Sequence, residues 1–448
     1  MSKGESSIGV LLRITAFRRM WAAIAVSSFG DWLGLLATTA LAAYLTKDSS
    51  SLAQGAAVSG VLLTRLAPDL LLSPVAGALV DRFDRRKVAV ICDVFAGVMY
   101  LSIAIAGNLT WLLIAQFLAE AVGLFSTPAK QAIWVNIVPR ERLAVANQLN
   151  YVSMYGMVPV AAAAFAVMSA VGELFRASPD SESVDAGALI VGSTTTTAIT
   201  IALVVNAVTY GLAATIIVIS RRLIPAFTGG HETSRGVFSL IAEGISFVSR
   251  DRVMRAIYVG ILGAFGAGGL VAGVAQAYVA TLGGGNAGYG ILFGTVFSGL
   301  ALGMLIGPKV MPTVSRRLVF SGCIGAAGIT LFVMALMPEF VGAAIISVVM
   351  GLFAGIAWIT GFTMIGHEVA DRLRGRVFAF VMSSVRVTLL LTIAVAPILA
   401  GGLGTHHIVI GQFDWRISAP ALVLAVGGAV ALAVGIFAAH QVGDGSTR

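Results

Sequence analysis

Twelve apolar segments recur along the chain, and only short polar stretches separate most of them. Each is roughly 17–28 residues long, against the ~20 residues that an α-helix needs to cross the hydrocarbon core of a bilayer. Inside hydrocarbon every backbone amide has to be bonded within its own segment, so such segments fold as helices. The segments are 20–45, 56–80, 88–106, 109–126, 145–170, 198–220, 256–282, 291–311, 318–337, 341–365, 377–404 and 417–439. The sequence therefore predicts an all-α membrane protein with twelve transmembrane helices.

The composition agrees with this class and excludes others. Of the 448 residues, 58% are hydrophobic and 11% are charged, which excludes an ordinary water-soluble domain. A net charge of +8 would suggest a nucleic-acid partner in a soluble chain. Here the basic residues fall in short loops, so the charge is interpreted as topology and no nucleic acid is expected. Cys92 and Cys323 lie within predicted helices, where a disulfide is not expected.

The distribution of Lys and Arg predicts how the chain is oriented. The N-terminus, the C-terminus and the loops after even-numbered helices hold 24 of the 29 basic residues. The opposite loops hold Lys47, Arg176 and Arg416, while Arg65 and Arg386 fall inside helices. By the positive-inside rule both termini are cytoplasmic, and we expect a multi-pass protein of the plasma (inner) membrane.

The longest cytoplasmic connection, residues 221–252, divides the chain into two halves. It contains a flexible turn at 228–231 and then apolar residues at helical spacing, which predicts an amphipathic helix on the membrane surface. A shift of 230 residues superimposes two separate loops of the first half on loops of the second, which indicates an internal repeat. We therefore expect six-helix bundles at 1–220 and 253–448, joined by that linker.

A charged hairpin at residues 77–87, GALVDRFDRRK, follows the second apolar segment. Together with FGDW at 29–32, TPAKQA at 127–132 and RLRGRV at 372–377, it resembles the major facilitator superfamily of secondary transporters. The likeness is to the drug, macrolide and siderophore exporters of actinobacterial type. It implies two pseudo-symmetric six-helix bundles, alternating access without a cofactor or enzymatic activity, and a monomer.

Three departures from the family pattern are visible in the sequence. Asp84 stands where the hairpin signature usually has glycine. The basic residue of the fourth span is missing, since that helix has Gln116. The glycine–proline motif of the fifth span, which is associated with exporters, survives only as GMVP at 156–159. The last two departures weaken the interpretation of the chain as a proton antiporter.

Two acids inside the membrane segments, Asp31 and Glu120, are costly in hydrocarbon and are candidates for function. The resemblance places spans 1, 4, 7 and 10 around a central cavity, where each acid would load and release a proton. The alternative is that either acid is a structural partner of a buried arginine. Arg65 and Asp69 are spaced i, i+4 and so predict an ion pair on one helix face. A second alternative is that Arg65 switches between Asp69 and the two other acids.

Other polar residues within the segments are further candidates. Arg386 has no acid nearby in the sequence, so a partner across the bundle, an anionic lipid and a substrate group are all open. No metal-ligand spacing and no phosphate-binding loop with lysine occurs in the sequence, so we expect neither a metal nor ATP. Candidate contacts to the substrate are Gln116, Asn150, Tyr151, Tyr155, Gln276 and Trp358.

The charged hairpin is expected to act as a cytoplasmic gate. The resemblance implies that Asp81 is held against the start of span 11, where Arg374 and Arg376 stand. Asp93 is near enough to the cytoplasm to pair with one of the arginines of the hairpin. The gate residues are Gly77, Asp81, Arg82, Arg85, Arg86, Asp93, Arg374 and Arg376.

These features favour proton-coupled export of a small amphipathic compound, with protons and membrane lipids as further partners. Two alternatives stay open. One is transport of a lipid or lysolipid, for which Arg386 would meet a headgroup phosphate. The other is a transporter-like protein that serves as the membrane partner of an envelope enzyme. In that case the long external loop, residues 172–197, would be its docking element.

Overall fold

The computed structural model describes residues 7–80, 83–139, 142–176, 194–223, 251–310, 315–369, 371–403, 406–410 and 413–443. These ranges contain one short helix, twelve long helices and one β-hairpin. In chain order they are α1 (Ser7–Arg13), α2 (Thr15–Leu45), α3 (Ser51–Val80), α4 (Arg85–Ala106), α5 (Leu109–Ile137), α6 (Leu143–Arg176), α7 (Thr194–Ile219), α8 (Arg252–Thr281), α9 (Gly285–Val310), α10 (Arg316–Ala335), α11 (Phe340–Glu368), α12 (Asp371–Leu403), β1 (His406–Ile410), β2 (Phe413–Ile417) and α13 (Ala419–Gly443).

The long helices α2–α13 correspond one to one with the twelve apolar segments, so the helical membrane fold class is confirmed. In the described part of the chain, every long helix except α3 contains a stretch long and apolar enough to cross a membrane. Several helices extend beyond their apolar segment, as α6 does over 34 residues. Beyond the hydrocarbon the intrahelical hydrogen bonds can continue in water, so hydropathy does not mark the end of a helix.

One feature of the described residues departs from the apolar pattern. Between α12 and α13 the strands β1 and β2 pair antiparallel, with His406 opposite Ile417 and Ile410 opposite Phe413. The sequence predicts only an external loop here, because each strand is only 5 residues long. Alternation over so few residues is a weak signal beside the long helical segments.

Polar caps define where several helices begin and end. Asp84 precedes α4, and its carboxylate accepts a hydrogen bond from the Arg86 backbone N–H at 3.0 Å. Asp251 caps α8 and Ser315 caps α10 in the same way. Gly107 ends α4 with φ +58°, a left-handed conformation that glycine adopts without a Cβ penalty. These residues place the helix starts and ends that hydropathy leaves open.

The chain divides into two compact units. Unit 1 comprises Met1–Leu45 and Thr64–Glu232, and unit 2 comprises Thr46–Leu63 and Thr233–Arg448. The first part of α3 therefore groups with unit 2 and the remainder with unit 1. The amphipathic helix expected in the linker falls within residues 224–250, which lie outside the described residues, so it stays a prediction.

Unit 1 has an apolar core at one end of its helices. The short helix α1 contributes the fully buried Leu11, and α2 contributes Phe17 and Met20. The other buried members of this cluster come from α2, α4–α7 and the α5–α6 turn: Ala23, Ile24, Ala89, Ala129, Ile133, Val138, Ala146, Ala213 and Ile217.

Unit 2 packs its helices through glycine. A Cβ at Gly299 or Gly303 of α9 would overlap backbone carbonyl oxygens of α11. Reciprocally, a Cβ at Gly351 or Gly355 of α11 would overlap backbone carbonyl oxygens of α9. The first turns of α3 pack closely on α12 in this unit, where the Ser59 hydroxyl donates to the Ala394 carbonyl oxygen at 3.0 Å. Small residues at such positions let helix backbones approach closely in a membrane.

Candidate functional site

Three helices of unit 1 bring one cation and two acids together. Arg65 on α3 places its Nη1 atom 3.3 Å from Glu120 Oε1 on α5. The same nitrogen donates to the backbone carbonyl oxygen of Asp31 on α2 at 3.4 Å. In this structure the guanidinium reaches across the bundle to Glu120 rather than along its own helix to Asp69. The contact with Glu120 is one that the second alternative expects, in which Arg65 switches between acids. It is not the i, i+4 pair with Asp69.

Glu120 is held by several donors besides Arg65. Gln116, one turn earlier on α5, donates from Nε2 to Glu120 Oε1 at 3.0 Å. The hydroxyl of Tyr100 on α4 donates to the same oxygen at 3.4 Å, and Gln116 Nε2 also lies 3.2 Å from that hydroxyl. Gln116 and Tyr100 are fully buried. A carboxylate that accepts from this many donors is stabilised in its ionised form.

Asp31 is held differently. Its carboxylate accepts a hydrogen bond from the hydroxyl of Tyr210 on α7. Tyr210 stacks on Tyr100 with ring centroids 5.8 Å apart, so the surroundings of the two acids are connected through these rings. Arg65 contacts the backbone carbonyl oxygen of Asp31 and not its carboxylate. Both residues thus contact one guanidinium, and of the two it is Glu120 that does so through its carboxylate.

The ring of Trp32 on α2 also contacts the arginine. The guanidinium carbon of Arg65 lies 5.9 Å from the centroid of the Trp32 ring. The indole Nε1 of Trp32 donates to the backbone carbonyl oxygen of Met154 on α6 at 2.8 Å, which fixes the ring. A guanidinium over an indole face gains a cation–π attraction that strengthens where water is excluded.

Glycines on α2 allow α7 to approach the site. A Cβ at Gly30 would overlap the Thr209 hydroxyl, and a Cβ at Gly34 would overlap the amide nitrogen of Asn206. Asn206 is fully buried, and neither polar atom of its side chain has a hydrogen-bond partner among the described residues. Because α7 lies this close to α2, Tyr210 can reach Asp31.

A second ion pair lies between α4 and α5. Lys130 Nζ is 2.8 Å from Asp93 Oδ1, and the Ser126 hydroxyl donates to the same oxygen at 2.8 Å. The expectation that Asp93 pairs with Arg85 or Arg86 is therefore wrong. Asp93 lies two turns into α4, so the arginines at the helix start are too far along the axis, whereas α5 is directly alongside.

Arg86, in the first turn of α4, pairs with another acid, Asp84. Arg86 Nη2 is 2.9 Å from Asp84 Oδ2, and its Nη1 donates to the Arg221 carbonyl oxygen at 3.0 Å. The Arg86 guanidinium lowers the pKa of the Asp84 carboxyl below its ordinary value, because it stabilises the ionised form. Asp84, which stands where the family signature has glycine, thus caps α4 and holds Arg86 at the same time.

The other residues of the expected gate fall at the limits of the described structure. Gly77 lies within α3, Arg85 begins α4, and Arg374 and Arg376 lie within the first two turns of α12. Asp81 and Arg82 lie outside the described residues, as do the side chains of the two α12 arginines. The contact of Asp81 with the start of α12 therefore stays a prediction.

The predicted substrate contacts divide between the two units. In unit 1, Gln116 is part of the acid site, Asn150 donates to the Met154 sulfur at 3.9 Å, and Tyr155 is half-buried on α6. Tyr151 also lies on α6, but its side chain is outside the described residues. The helix α6 thus carries three of the six candidates.

In unit 2, Trp358 on α11 packs edge-on against Phe265 of α8, with ring centroids 4.9 Å apart. Gln276 on α8 is half-buried, and its Oε1 has no partner among the described residues. Arg386 is exposed on α12 and belongs to unit 2. Its expected place beside Asp31, Glu120 and Arg65 in a central cavity stays a prediction.

Sequence reasoning missed three residues of the interior of unit 1. Tyr100 and Tyr210 lie well inside apolar segments, yet tyrosines in membrane helices are usually interpreted as interface anchors. Their position deep within an apolar segment could have indicated a role in the interior, because a hydroxyl group in hydrocarbon requires a hydrogen-bond partner. Lys130 was assigned to a loop after the fourth apolar segment, whereas α5 continues as a helix to Ile137.

Comparisons with known proteins were made for the whole chain. The sequence model of the family described as Major Facilitator Superfamily matches residues 20–313. Two MFS-type transporters described as uncharacterized are among the similar curated proteins. Rv0037c of Mycobacterium tuberculosis is 32% identical over 142 residues, 31% of each chain. YfiS of Bacillus subtilis is 26% identical over 125 residues, 28% of this chain and 29% of the relative. The matches thus span less than a third of these relatives.

Similar solved structures cover nearly the whole chain. A bacterial homolog of the human lysosomal transporter Spinster, inward-facing and unoccupied, has a TM-score of 0.66 at 14% identity, covering 96% of this chain and 95% of that one. The nucleoside transporter NupG has a TM-score of 0.66 at 12% identity, covering 94% and 98%. A D-xylose–proton symporter has a TM-score of 0.64 at 12% identity, covering 94% and 96%. At such identities the likeness shows the fold.

Proposed function

The chain belongs to the Major Facilitator Superfamily of membrane transporters, and from this premise we propose that it is a proton-coupled exporter of small amphipathic compounds. In the proposed cycle the two six-helix bundles alternate access to a shared substrate site without ATP. Protons that flow down their gradient through unit 1 drive the compound outward across the plasma membrane. Both termini are cytoplasmic in this arrangement, and the protein works as a monomer.

One observation carries the proposal. Two membrane-embedded acidic residues lie next to one guanidinium: Arg65 pairs with the Glu120 carboxylate and donates to the backbone carbonyl oxygen of Asp31. If both carboxyl groups were ionised, Arg65 would compensate one of them and one negative charge would remain. This is unfavourable in a medium of low dielectric constant. Such a group holds a proton or another cation in one state and releases it in the other, which is what coupling requires.

The hydrogen bonds support different roles for the two acids in the proposal. Glu120 Oε1 accepts from Arg65, Gln116 and Tyr100, a set of donors that suits a permanently ionised carboxylate. Among the described residues, the Asp31 carboxylate accepts a hydrogen bond from the Tyr210 hydroxyl alone. Asp31 is therefore the acid that exchanges the proton in the proposal, and Glu120 is the anion that holds Arg65 in place.

Transport in inverted membrane vesicles tests this function. A proton gradient is established and followed with an acridine dye while a panel of compounds, including ethidium, a macrolide and a ferric siderophore, is added one at a time. The proposal expects at least one compound to dissipate the gradient with the wild-type protein but not with Asp31→Asn. A compound that Asp31→Asn carries at the wild-type rate, regardless of the gradient, would refute the coupling role.

A second candidate, transport of a lipid or lysolipid, is favoured by Arg386. This arginine is exposed on the membrane helix α12, where a headgroup phosphate is a suitable counter-ion. Lipid transport predicts that phospholipid copurifies with the wild-type protein and is lost in Arg386→Gln. It also predicts a transport rate that Asp31→Asn leaves unchanged, which separates the two candidates. The docking element of the third alternative falls mainly within residues 177–193, outside the described residues.

A further inference from the structure

The ion pair of Asp93 and Lys130 is not explained by packing alone. The Asp93 side chain is 1% exposed and that of Lys130 is 11% exposed. Asp93 Oδ1 accepts from both Lys130 and Ser126, while Oδ2 is buried without a partner among the described residues. Transfer of both charges out of water costs about as much as their attraction returns, and apolar residues would hold two helices as well. An electrostatic role therefore has to be considered.

The pair lies on the same helix face as the acid site. Asp93 and Tyr100 are seven residues apart on α4, which places them on one face with a rise of about 10 Å between them. Gly97 lies between them, and a Cβ there would stand 3.3 Å from the Cβ of Tyr210. Tyr210 in turn donates to the Asp31 carboxylate. The ion pair of Asp93 and Lys130 thus lies about two helical turns from Tyr100, which stacks on the tyrosine that contacts Asp31.

The charges around Asp31 come from four helices. Glu120 holds Arg65, and Asp93 holds Lys130, so each of these acids has its own cation. The Asp31 carboxylate instead accepts a hydrogen bond from the Tyr210 hydroxyl. The titratable and charged groups that act on Asp31 are Arg65 from α3, Asp93 and Tyr100 from α4, Glu120 and Lys130 from α5, and Tyr210 from α7. They amount to two acids, two cations and two tyrosines, and Asp31 itself is the third acid.

We propose that Lys130 is a shared counter-ion of unit 1, which is paired with Asp93 in this structure and compensates the Asp31 carboxylate when Asp31 has released its proton. Asp93 then limits how strongly Lys130 acts on Asp31. This inference rests on the proposed function, because it requires Asp31 to be the exchanging acid. Lys130 is a positioning residue in this scheme and does not itself contact the transported compound.

Infrared spectroscopy of the purified full-length protein in lipid nanodiscs tests the inference without a known substrate. The C=O band of protonated carboxyl groups is followed during a pH titration, and the part lost in Asp31→Asn is assigned to Asp31. Lys130→Gln leaves Asp93 as a net negative neighbour, so the midpoint of the Asp31 band is expected about one pH unit higher. Asp93→Asn leaves Lys130 as a net positive neighbour, and the midpoint is expected lower by a similar amount.

The opposite signs of the two shifts distinguish this role from a structural one, which predicts that neither variant moves the midpoint. Lys87→Gln, at the exposed start of α4, is the matched control and should leave the titration unchanged. If the midpoint of the Asp31 band moves in neither variant, this inference is overturned, while the proposed function is not affected. If Asp31→Asn removes no band at any pH, the proposed coupling function fails instead. Should Lys130→Gln not fold, Asp93→Asn decides the question by its own shift.

Discussion

At the scale of single residues, the two membrane acids of unit 1 differ in what surrounds them. Glu120 accepts from an arginine, an amide and a hydroxyl, whereas the Asp31 carboxylate accepts from one hydroxyl. Hydrogen bonds to an ionised group typically contribute about 1.5–3 kcal/mol each, so this difference supports the separate roles that we propose for the two acids. The composition of the helices alone would have made the two acids equivalent.

Tyr210→Phe tests the assignment by removing the hydroxyl and keeping the ring. We expect the protein to fold, because the stacking on Tyr100 is retained, and gradient-driven transport to fall by roughly tenfold or more, the equivalent of about 1.5 kcal/mol. The measurement is the initial rate in inverted vesicles at several pH values. Tyr258→Phe is the matched control, because its hydroxyl bonds Ser384 in unit 2. An unchanged pH–rate profile in Tyr210→Phe would contradict the role of this hydrogen bond.

Asp84 explains why the hairpin does not need the glycine of the family signature. Its backbone is in an extended conformation with φ −63° and ψ 109°, which any residue adopts, and its carboxylate serves as the N-cap of α4. Asp84→Ala is expected to cost about 1 kcal/mol of stability at neutral pH. Thermal unfolding of the purified protein measures the loss, and Asp84→Asn, which can still cap the helix, should lose less.

The pH dependence of this contribution follows from the lowered pKa of Asp84. A carboxyl whose pKa is depressed on folding stabilises the protein fully above its ordinary value of 3.8, and the stabilisation is lost as the pH falls through the lower folded-state pKa. The difference in melting temperature between wild type and Asp84→Ala should therefore be constant from about pH 7 to pH 5 and shrink below about pH 4. A difference that grows on acidification would contradict the assignment.

Sequence patterns identified Asp31, Glu120 and Arg65 as candidates because charges in hydrocarbon are conspicuous. They did not identify which acid Arg65 binds, since the i, i+4 spacing favours Asp69 while the contact with Glu120 depends on how α3 packs against α5. Lys130 was missed because a polar turn ends the apolar segment before the helix itself ends. Hydropathy thus finds which side chains are costly, and tertiary packing determines their partners.

At the scale of elements, glycines determine how closely the helices of unit 2 can pack. The pairs on α9 and α11 face each other's backbone carbonyl groups, so neither helix tolerates a side chain there. Membrane helices gain little from hydrophobic contact with each other, because lipid is equally apolar. The dispersion contacts that close backbone approach allows therefore stabilise the pair of helices.

Gly351→Ala tests this account. Its Cβ would overlap the Val296 carbonyl oxygen, so we expect overpacking of about 1–3 kcal/mol and a melting temperature lowered by several degrees. Gly322→Ala on α10 is the control, because a Cβ there meets nothing within 4 Å, and higher helix propensity should leave stability unchanged or raised. Equal melting temperatures for the two variants would contradict a packing role for Gly351.

At the scale of the whole molecule, the number and order of the long helices could be predicted from the sequence, because each spanning segment must satisfy its own backbone hydrogen bonds. The helix α1 and the β-hairpin between α12 and α13 could not, since neither is long enough to leave a clear period. The grouping of residues 46–63 with unit 2 was also beyond sequence patterns, because it depends on contacts between α3 and α12 that are 335 or more residues apart in the chain.

The orientation of the chain gives a prediction for the intact protein. Alkaline phosphatase is active only outside the cytoplasm, so a fusion after Asn108, between α4 and α5, should be active. A fusion after Phe83, between α3 and α4, should be inactive, because the basic hairpin holds that loop inside. A green fluorescent protein at the C-terminus, which fluoresces when cytoplasmic, completes the map. The reverse pattern of activities would invert the predicted topology.

The four glycines at the contact of α9 and α11 have a practical consequence. Where the two helices meet backbone to backbone, no side-chain rotamer can rearrange, so we expect the helices to keep their mutual distance at these positions while other parts of unit 2 move. Probes placed at the outer faces of these helices would then serve as a fixed ruler. Displacements of α8 or α12 during turnover can be read against it.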